Sequence, residues 1–198
     1  MNDTKQIRGR EQFRKYKKVF SLLVSFYSLF STKTRIKLLE KHRYMRGKLG
    51  MGVRYALLKS IAVSCGDNVG IGEGVFFINP QHLSVGNNVS IHPMCYIDCG
   101  FNSENGLIIG NDVSIAHSST IMNSTHSYQD LNTNIKDQPM ITIRTEIYNN
   151  VWIGAKSTII AGNIINSGCI IGAGAVVTKS TESNYIYAGV PARKIKHR

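Results

Sequence analysis

The chain has 198 residues, 42% of them hydrophobic and 18% charged, which suits a globular protein with one substantial core. Its net charge of +12 sits at one end: residues 1–60 carry 16 Lys and Arg against 3 Asp and Glu, while residues 61–198 carry 8 against 9. A nearly neutral body argues against a nucleic-acid partner and leaves the basic end as a membrane-surface dock, a collar for an anionic ligand or a solvated helix face.

Residues 1–60 form the first region. The apolar run Val19–Phe30 is twelve residues long, too short for a bilayer that needs about 20. It is followed by STKTRIK with no small-residue cleavage site, so the chain is expected to stay in the cytoplasm, with peripheral contact at the inner face of the membrane as one reading of the basic N-terminus. Hydrophobic spacing in Val19–Phe30 and Ile36–Leu49 predicts two or three short helices, placed to cap the region that follows.

From residue 61 the pattern changes. Aliphatic residues recur every six positions at Ile141, Ile147, Ile153, Ile159, Ile165, Ile171 and Val177, and again from Val85 to Ile121 with only Ser103 out of character. A six-residue period matches neither a helix nor a hairpin meander. It predicts a parallel β-helix in which each hexapeptide supplies one flat face and three close an 18-residue coil over stacked aliphatic side chains. Gly86-Asn87-Asn88 and Gly110-Asn111-Asp112 supply the freedom that corners need. The register slips near residues 79–82 and between Ile121 and Ile141, so residues 61–186 are read as the coil with an excursion loop at 122–140. Residues 187–198, with Pro191 where a helix could begin, are read as a tail ending in a short C-terminal helix.

Cys65, Cys95, Cys99 and Cys169 fall at irregular spacings, which predicts reduced, mostly buried thiols. His92, Cys95 and Cys99 do not make a metal site, because alternation along a strand sends them to different faces, and no metal is expected. His126 stands in the excursion, and loops on stiff scaffolds are where chemistry concentrates.

The segment IYNNVWIGAKSTIIAGNIINSGCIIGAGAVVTKS followed by AGVPARKI resembles the C-terminal half of galactoside and maltose acetyltransferases. Upstream, IGNDVSIAHSSTIMNSTH is closer to sugar O-acetyltransferases of capsule and exopolysaccharide biosynthesis, and the likeness covers roughly residues 61–196. The resemblance implies a left-handed hexapeptide-repeat β-helix, a homotrimer with clefts between subunits, and acetyl-CoA as co-substrate. It places the catalytic base on His126, whose imidazole would take the proton of an attacking hydroxyl, and the oxyanion donor on the backbone N–H of Ala155. It places the pantetheine arm along Trp152, Gly154, Gly172 and Ala173, and the phosphates and nucleotide near Thr178, Lys179, Arg193 and Lys196. Trp152 is as well explained by core packing or a trimer contact. On the acceptor side, His92 and Asp98 lie near the family's sugar site; Asp98 could bind a sugar hydroxyl or cap a corner, and His117 could line the cleft or face solvent. Tyr148 replaces a glycine usual in the family.

The expected function is transfer of acetyl to a hydroxyl of a sugar or surface-polysaccharide precursor. Alternatives are N-acetylation of an amino sugar or xenobiotic, and a noncatalytic hexapeptide scaffold. A zinc enzyme on this scaffold is disfavoured, since His117 and His126 are nine residues apart.

Overall fold

The computed structural model describes residues 9–198, and the first eight residues of the basic segment lie outside the described part. Three helices, α1 (Gly9–Ser28), α2 (Thr32–Lys41) and α3 (Gly47–Ile61), precede a parallel β-helix of five complete coils and the start of a sixth. Its short strands stack into three flat faces, here A, B and C in chain order within each coil. The inward residues form columns: Cys65, Val85, Ile109, Ile147 and Ile165 on A; Ile71, Ile91, Ile115, Ile153 and Ile171 on B; Phe77, Ile97, Ile121, Ile159 and Val177 on C. All but Cys65 are buried.

The corners explain the residues between these columns. At the A–B edge Asn68, Asn88, Asp112 and Asn150 take φ of 57–58°, a left-handed conformation that short Asn and Asp side chains tolerate. The corner after Tyr148 keeps this geometry at Asn150, so the glycine that Tyr148 replaces is not needed for the bend. The Asn side chains also link coils: Asn111 Oδ1 accepts from the Asn87 N–H at 2.8 Å, and Asn149 Oδ1 from the Asn111 N–H at 2.7 Å. At the B–C edge, buried Ser119 and Ser157 donate to carbonyls of their own coil and the next, which is why small polar residues follow the aliphatic position there. Gly154 is required by stacking, since a Cβ would sit 2.6 Å from the Ala173 nitrogen in the next coil.

α3 closes the open end of the coil. Leu57, Leu58 and Ile61 are buried in the core, and buried Arg54 donates from Nε to the Ile71 carbonyl at 3.0 Å and from a terminal nitrogen to the Met45 carbonyl at 2.6 Å. α1 packs on α3 through Phe13 and Phe20, each with its ring centroid 5.3 Å from that of Tyr55.

Three expectations need correction. The tail is not helical: Tyr185–Ala188 extends face B, the chain reverses at Gly189 (φ 97°), and Arg193–His197 returns antiparallel against it. The last strand of the sheet would otherwise present unpaired N–H and C=O groups, and the tail satisfies them. Ile141 is not a coil residue; it lies in a ribbon of Ser124–His126 paired antiparallel with Met140–Thr142, and is 40% exposed. Position 103 is likewise no hexapeptide member, because residues 99–107 bulge out as a loop between Tyr96–Asp98 and Ile108–Ile109. The excursion thus begins as expected but returns to the coil only at Glu146–Ile147.

Candidate active site

The three departures from the repeat all occur where face C passes to face A: residues 79–83, 99–107 and 123–145 in successive coils. They stack on one another. The Asn79 side chain donates to the Gly100 carbonyl at 2.8 Å, His82 Nδ1 lies 2.8 Å from Ser103 Oγ, the Asn123 side chain donates to the Asn105 carbonyl at 2.7 Å, and Arg144 donates to the Glu104 carbonyl. His126 emerges from this stack, exposed, on the ribbon opposite Met140.

The base of the ribbon is a buried polar hub. Asp98, 4% exposed, accepts from the N–H of Gly100 at 2.9 Å, the N–H of Asn123 at 3.2 Å and the hydroxyl of Ser124. Asn123 is fully buried, and its Oδ1 accepts from the Thr145 N–H at 2.6 Å, tying the outgoing strand to the returning one. Asp98 therefore holds the foot of the segment that carries His126, with both oxygens engaged by protein donors. Further out, buried Gln138 donates to the carbonyls of Asp130 and Thr133 at 2.8 and 2.9 Å and accepts from the Asp130 N–H at 3.3 Å, keeping the tip folded. Sequence reasoning passed over Asn123, Ser124, Gln138 and Thr145. Uncharged polar residues where the repeat fails were the available clue.

The remaining candidates fall into two groups. On the C–A edge with His126 are Thr178 and Lys179, exposed, two coils further on and so about 10 Å along the edge. On face B and the B–C edge the others rise in order: His92 in the second coil, His117 in the third, Trp152, Gly154 and Ala155 in the fourth, Gly172 and Ala173 in the fifth, then Arg193 and Lys196 on the tail strand. His92, His117 and Trp152 are all exposed, the last by 53%, so Trp152 is no core residue. Among the described residues no backbone carbonyl accepts from the Ala155 N–H, while its own carbonyl accepts from Gly174 at 2.8 Å.

Beside His92, a cavity of about 710 Å³ opens between face B and the starts of α1 and α3, within the usual size of small-molecule sites. Asn68, Asn88, Ser90, Glu73 and Arg54 give it a polar lining. Burial holds the Arg54 guanidinium below its ordinary pKa, partly offset by Glu73.

Three of the four thiols are held away from the thiolate form. Burial pushes Cys65 up to about 12 and raises Cys95 and Cys99 as well. Among the described residues no group of three or more His, Cys, Asp or Glu side chains is arranged to hold a metal ion.

No family model matches the chain. Individual proteins do. It is 32% identical over 144 residues to the galactoside O-acetyltransferase of Escherichia coli, an alignment spanning 72% of this chain and 68% of that protein. This chain belongs to the hexapeptide-repeat acetyltransferases. Another relative in the family, a putative lipopolysaccharide biosynthesis O-acetyl transferase of Escherichia coli, is 28% identical over 147 residues, 74% of this chain and 66% of its own. A galactoside acetyltransferase solved in complex with coenzyme A superposes with a TM-score of 0.72 at 26% identity, covering 88% of this chain and 82% of that one. As an acetyltransferase of this family, the chain presents its candidate residues on two separate edges of one prism.

Proposed function

We propose that the protein is a homotrimeric O-acetyltransferase that moves acetyl from acetyl-CoA to a hydroxyl of a sugar or surface-polysaccharide precursor, with His126 as general base. One observation carries this reading: His126 stands on the C–A edge, whereas Ala155 stands on the B–C edge. Six residues at about 3.3 Å each put neighbouring edges somewhat under ~20 Å apart, too far for both groups to act on one carbonyl. A cyclic trimer that sets the C–A edge of one subunit against the B–C edge of the next brings them into one cleft.

In that cleft the hydroxyl oxygen attacks the thioester carbonyl carbon while His126 accepts the hydroxyl proton. The Ala155 N–H, without a backbone partner among the described residues, donates to the oxygen that gains charge. The carbon–sulfur bond then breaks, and the proton held by His126 passes to the departing thiolate. The acetyl donor lies along the neighbour's Trp152, Gly154, Gly172 and Ala173. Thr178 and Lys179 from the His126 edge, with Arg193 and Lys196 from the other, meet its phosphates, for which Lys and Arg are the apt donors. The sugar occupies the polar cavity beside His92, and His117 lines the path from there to Ala155. The identity of the relatives with galactoside and lipopolysaccharide O-acetyl transferases supports a sugar hydroxyl as acceptor.

The test is thiol release from acetyl-CoA with a panel of hydroxyl and amino sugars, the product then located by NMR. Ester formation on a hydroxyl, lost in His126→Ala by about two orders of magnitude or more, is expected. Acetylation confined to amines, or turnover indifferent to His126, would refute the proposal.

A further inference from the structure

Helix α1 has two apolar faces, and only one is used. Phe13, Phe20 and Tyr27, seven residues apart, pack inward. Val19, Leu22 and Phe26, with Leu29 in the turn just after the helix, make a second stripe that stays in solvent, with Leu22 and Leu29 exposed by 72% and 81%. Side chains this apolar gathered on one surface mark an interaction site. Leu49 and Met51 at the start of α3 continue it, and an apolar groove of about 530 Å³ runs between the two helices.

The charges around the stripe are chiefly basic, with Glu11 in the first turn of α1 as the acidic exception. Arg10 and Lys17, on another side of α1, pair with Asp112 and Asp67 of the coil. Arg14, Lys15 and Lys18 are exposed, and among the described residues none of them is in an ion pair. Lys48 adds a fourth cation beside Leu49.

The two pairs also fix the direction of α1. Asp112 turns the A–B corner of the third coil and Asp67 that of the first. Seven helical residues rise about 10 Å, the height of two coils, so α1 follows the A–B edge and carries Leu22 to Leu29 past the first coil. A trimer that joins the other two edges leaves the A–B edge facing outward. Three-fold symmetry then sets three copies of the stripe at one height, on one end of the assembly.

We propose that this stripe is a docking face for a bilayer with anionic headgroups, the apolar side chains entering the interface and Arg14, Lys15, Lys18 and Lys48 meeting the phosphates. A second copy of the chain fits badly, because it would bring the same cations against each other. The three-fold presentation rests on the trimeric reading above, and three weak contacts on one plane reinforce each other.

The test uses purified full-length chain and vesicles of phosphatidylcholine with or without about 30% phosphatidylglycerol. Sedimentation with the anionic vesicles is expected, weakened about fivefold or more by Leu22→Asp with Phe26→Asp, by Lys15→Glu with Lys18→Glu, and by high salt. Circular dichroism checks that the variants fold. Failure of wild-type chain to pellet, pelleting indifferent to both variants, or an oligomer that Leu22→Asp with Phe26→Asp dissociates would each overturn the proposal. Mass by sedimentation equilibrium and acetyl transfer to a soluble acceptor are measured on the same samples. An active trimer that ignores vesicles sinks the docking face alone; an inactive monomer that pellets sinks the functional reading and leaves the docking face standing.

Discussion

Two inactive variants should restore each other. His126→Ala removes the base from one edge, and Ala155→Pro removes the N–H from the other. The proline should be tolerated, because Pro93 already holds the equivalent corner position two coils earlier, followed by Met94 at φ 61° as Ala155 is followed by Lys156 at φ 57°. Alone, each variant should lose a factor of about 10² or more in turnover. In trimers co-expressed at equal amounts, a site is whole when its His126 comes from an Ala155→Pro chain and its Ala155 from a neighbouring His126→Ala chain. Each condition holds for half the chains, so about a quarter of sites, and about 25% of wild-type activity per chain, should return. Thiol release on the purified mixture without selection for mixed trimers reads this directly; selecting mixed trimers through one tag on each variant should raise it to about a third, since each then has one whole site of three. A mixture that stays near the ~1% residual level of its components would show that both groups serve a site within one chain, and the cleft between subunits would be refuted.

Asp98→Asn turns an acceptor oxygen into an NH2 facing donors, and should cost about 1–3 kcal/mol of stability and slow turnover while leaving coenzyme affinity intact. A raised acceptor KM with an unchanged melting temperature would instead make Asp98 a sugar ligand. Gly154→Val places carbon 2.6 Å from the Ala173 nitrogen and 2.7 Å from the Ile171 carbonyl oxygen, and should lower stability by about 1–3 kcal/mol or more in thermal unfolding; an unchanged transition would mean that the coils can part there. Hydrogen bonds from Lys17 and then Lys59 hold the Asp67 carboxyl below its usual range. A depressed carboxylate stabilises while ionised, so the contribution should be present at pH 6 and fade as pH falls below about 4. The melting-temperature gap between wild type and Asp67→Asn should therefore narrow steadily as pH falls below about 4, and a gap as wide in acid as at neutral pH would place the effect elsewhere.

The core was legible because its cause is local: an inward aliphatic side chain at a fixed place in each hexapeptide, with a second buried one, mostly smaller, two residues before it, at a spacing no helix or hairpin reproduces. Columns such as Ile153 to Ile171 could be read from the chain, as could the polar corners between them. What escaped was irregularity of convenient length. The loop at 99–107 adds six residues, one full repeat, so Ile97 and Ile109 stay in phase while position 103 leaves the coil. Ile141 lies six before Ile147 by coincidence, since the excursion is not a whole number of hexapeptides and its strand pairs with the ribbon and not with the coil. Periodicity cannot distinguish an insertion of one period from a continuing repeat. The tail failed differently, since its backbone partner, the open edge of face B, exists only after the coil has formed.

The misplaced insertions have a common location. Every insertion falls on the C–A edge, where the loops support one another through Asn79, His82, Asn123 and Arg144, and none falls on the edge that carries Ala155. Placing residues on edges requires counting coils correctly, so the partition of the site was hidden by the same six-residue loop that hid itself. Once the loops are located, the segregation follows: one edge holds the protruding His126, the proposed base, and the other stays regular, as the proposed extended ligand requires. A single prism holds His126 and Ala155 on separate edges, and that separation is why the proposed chemistry calls for an oligomer.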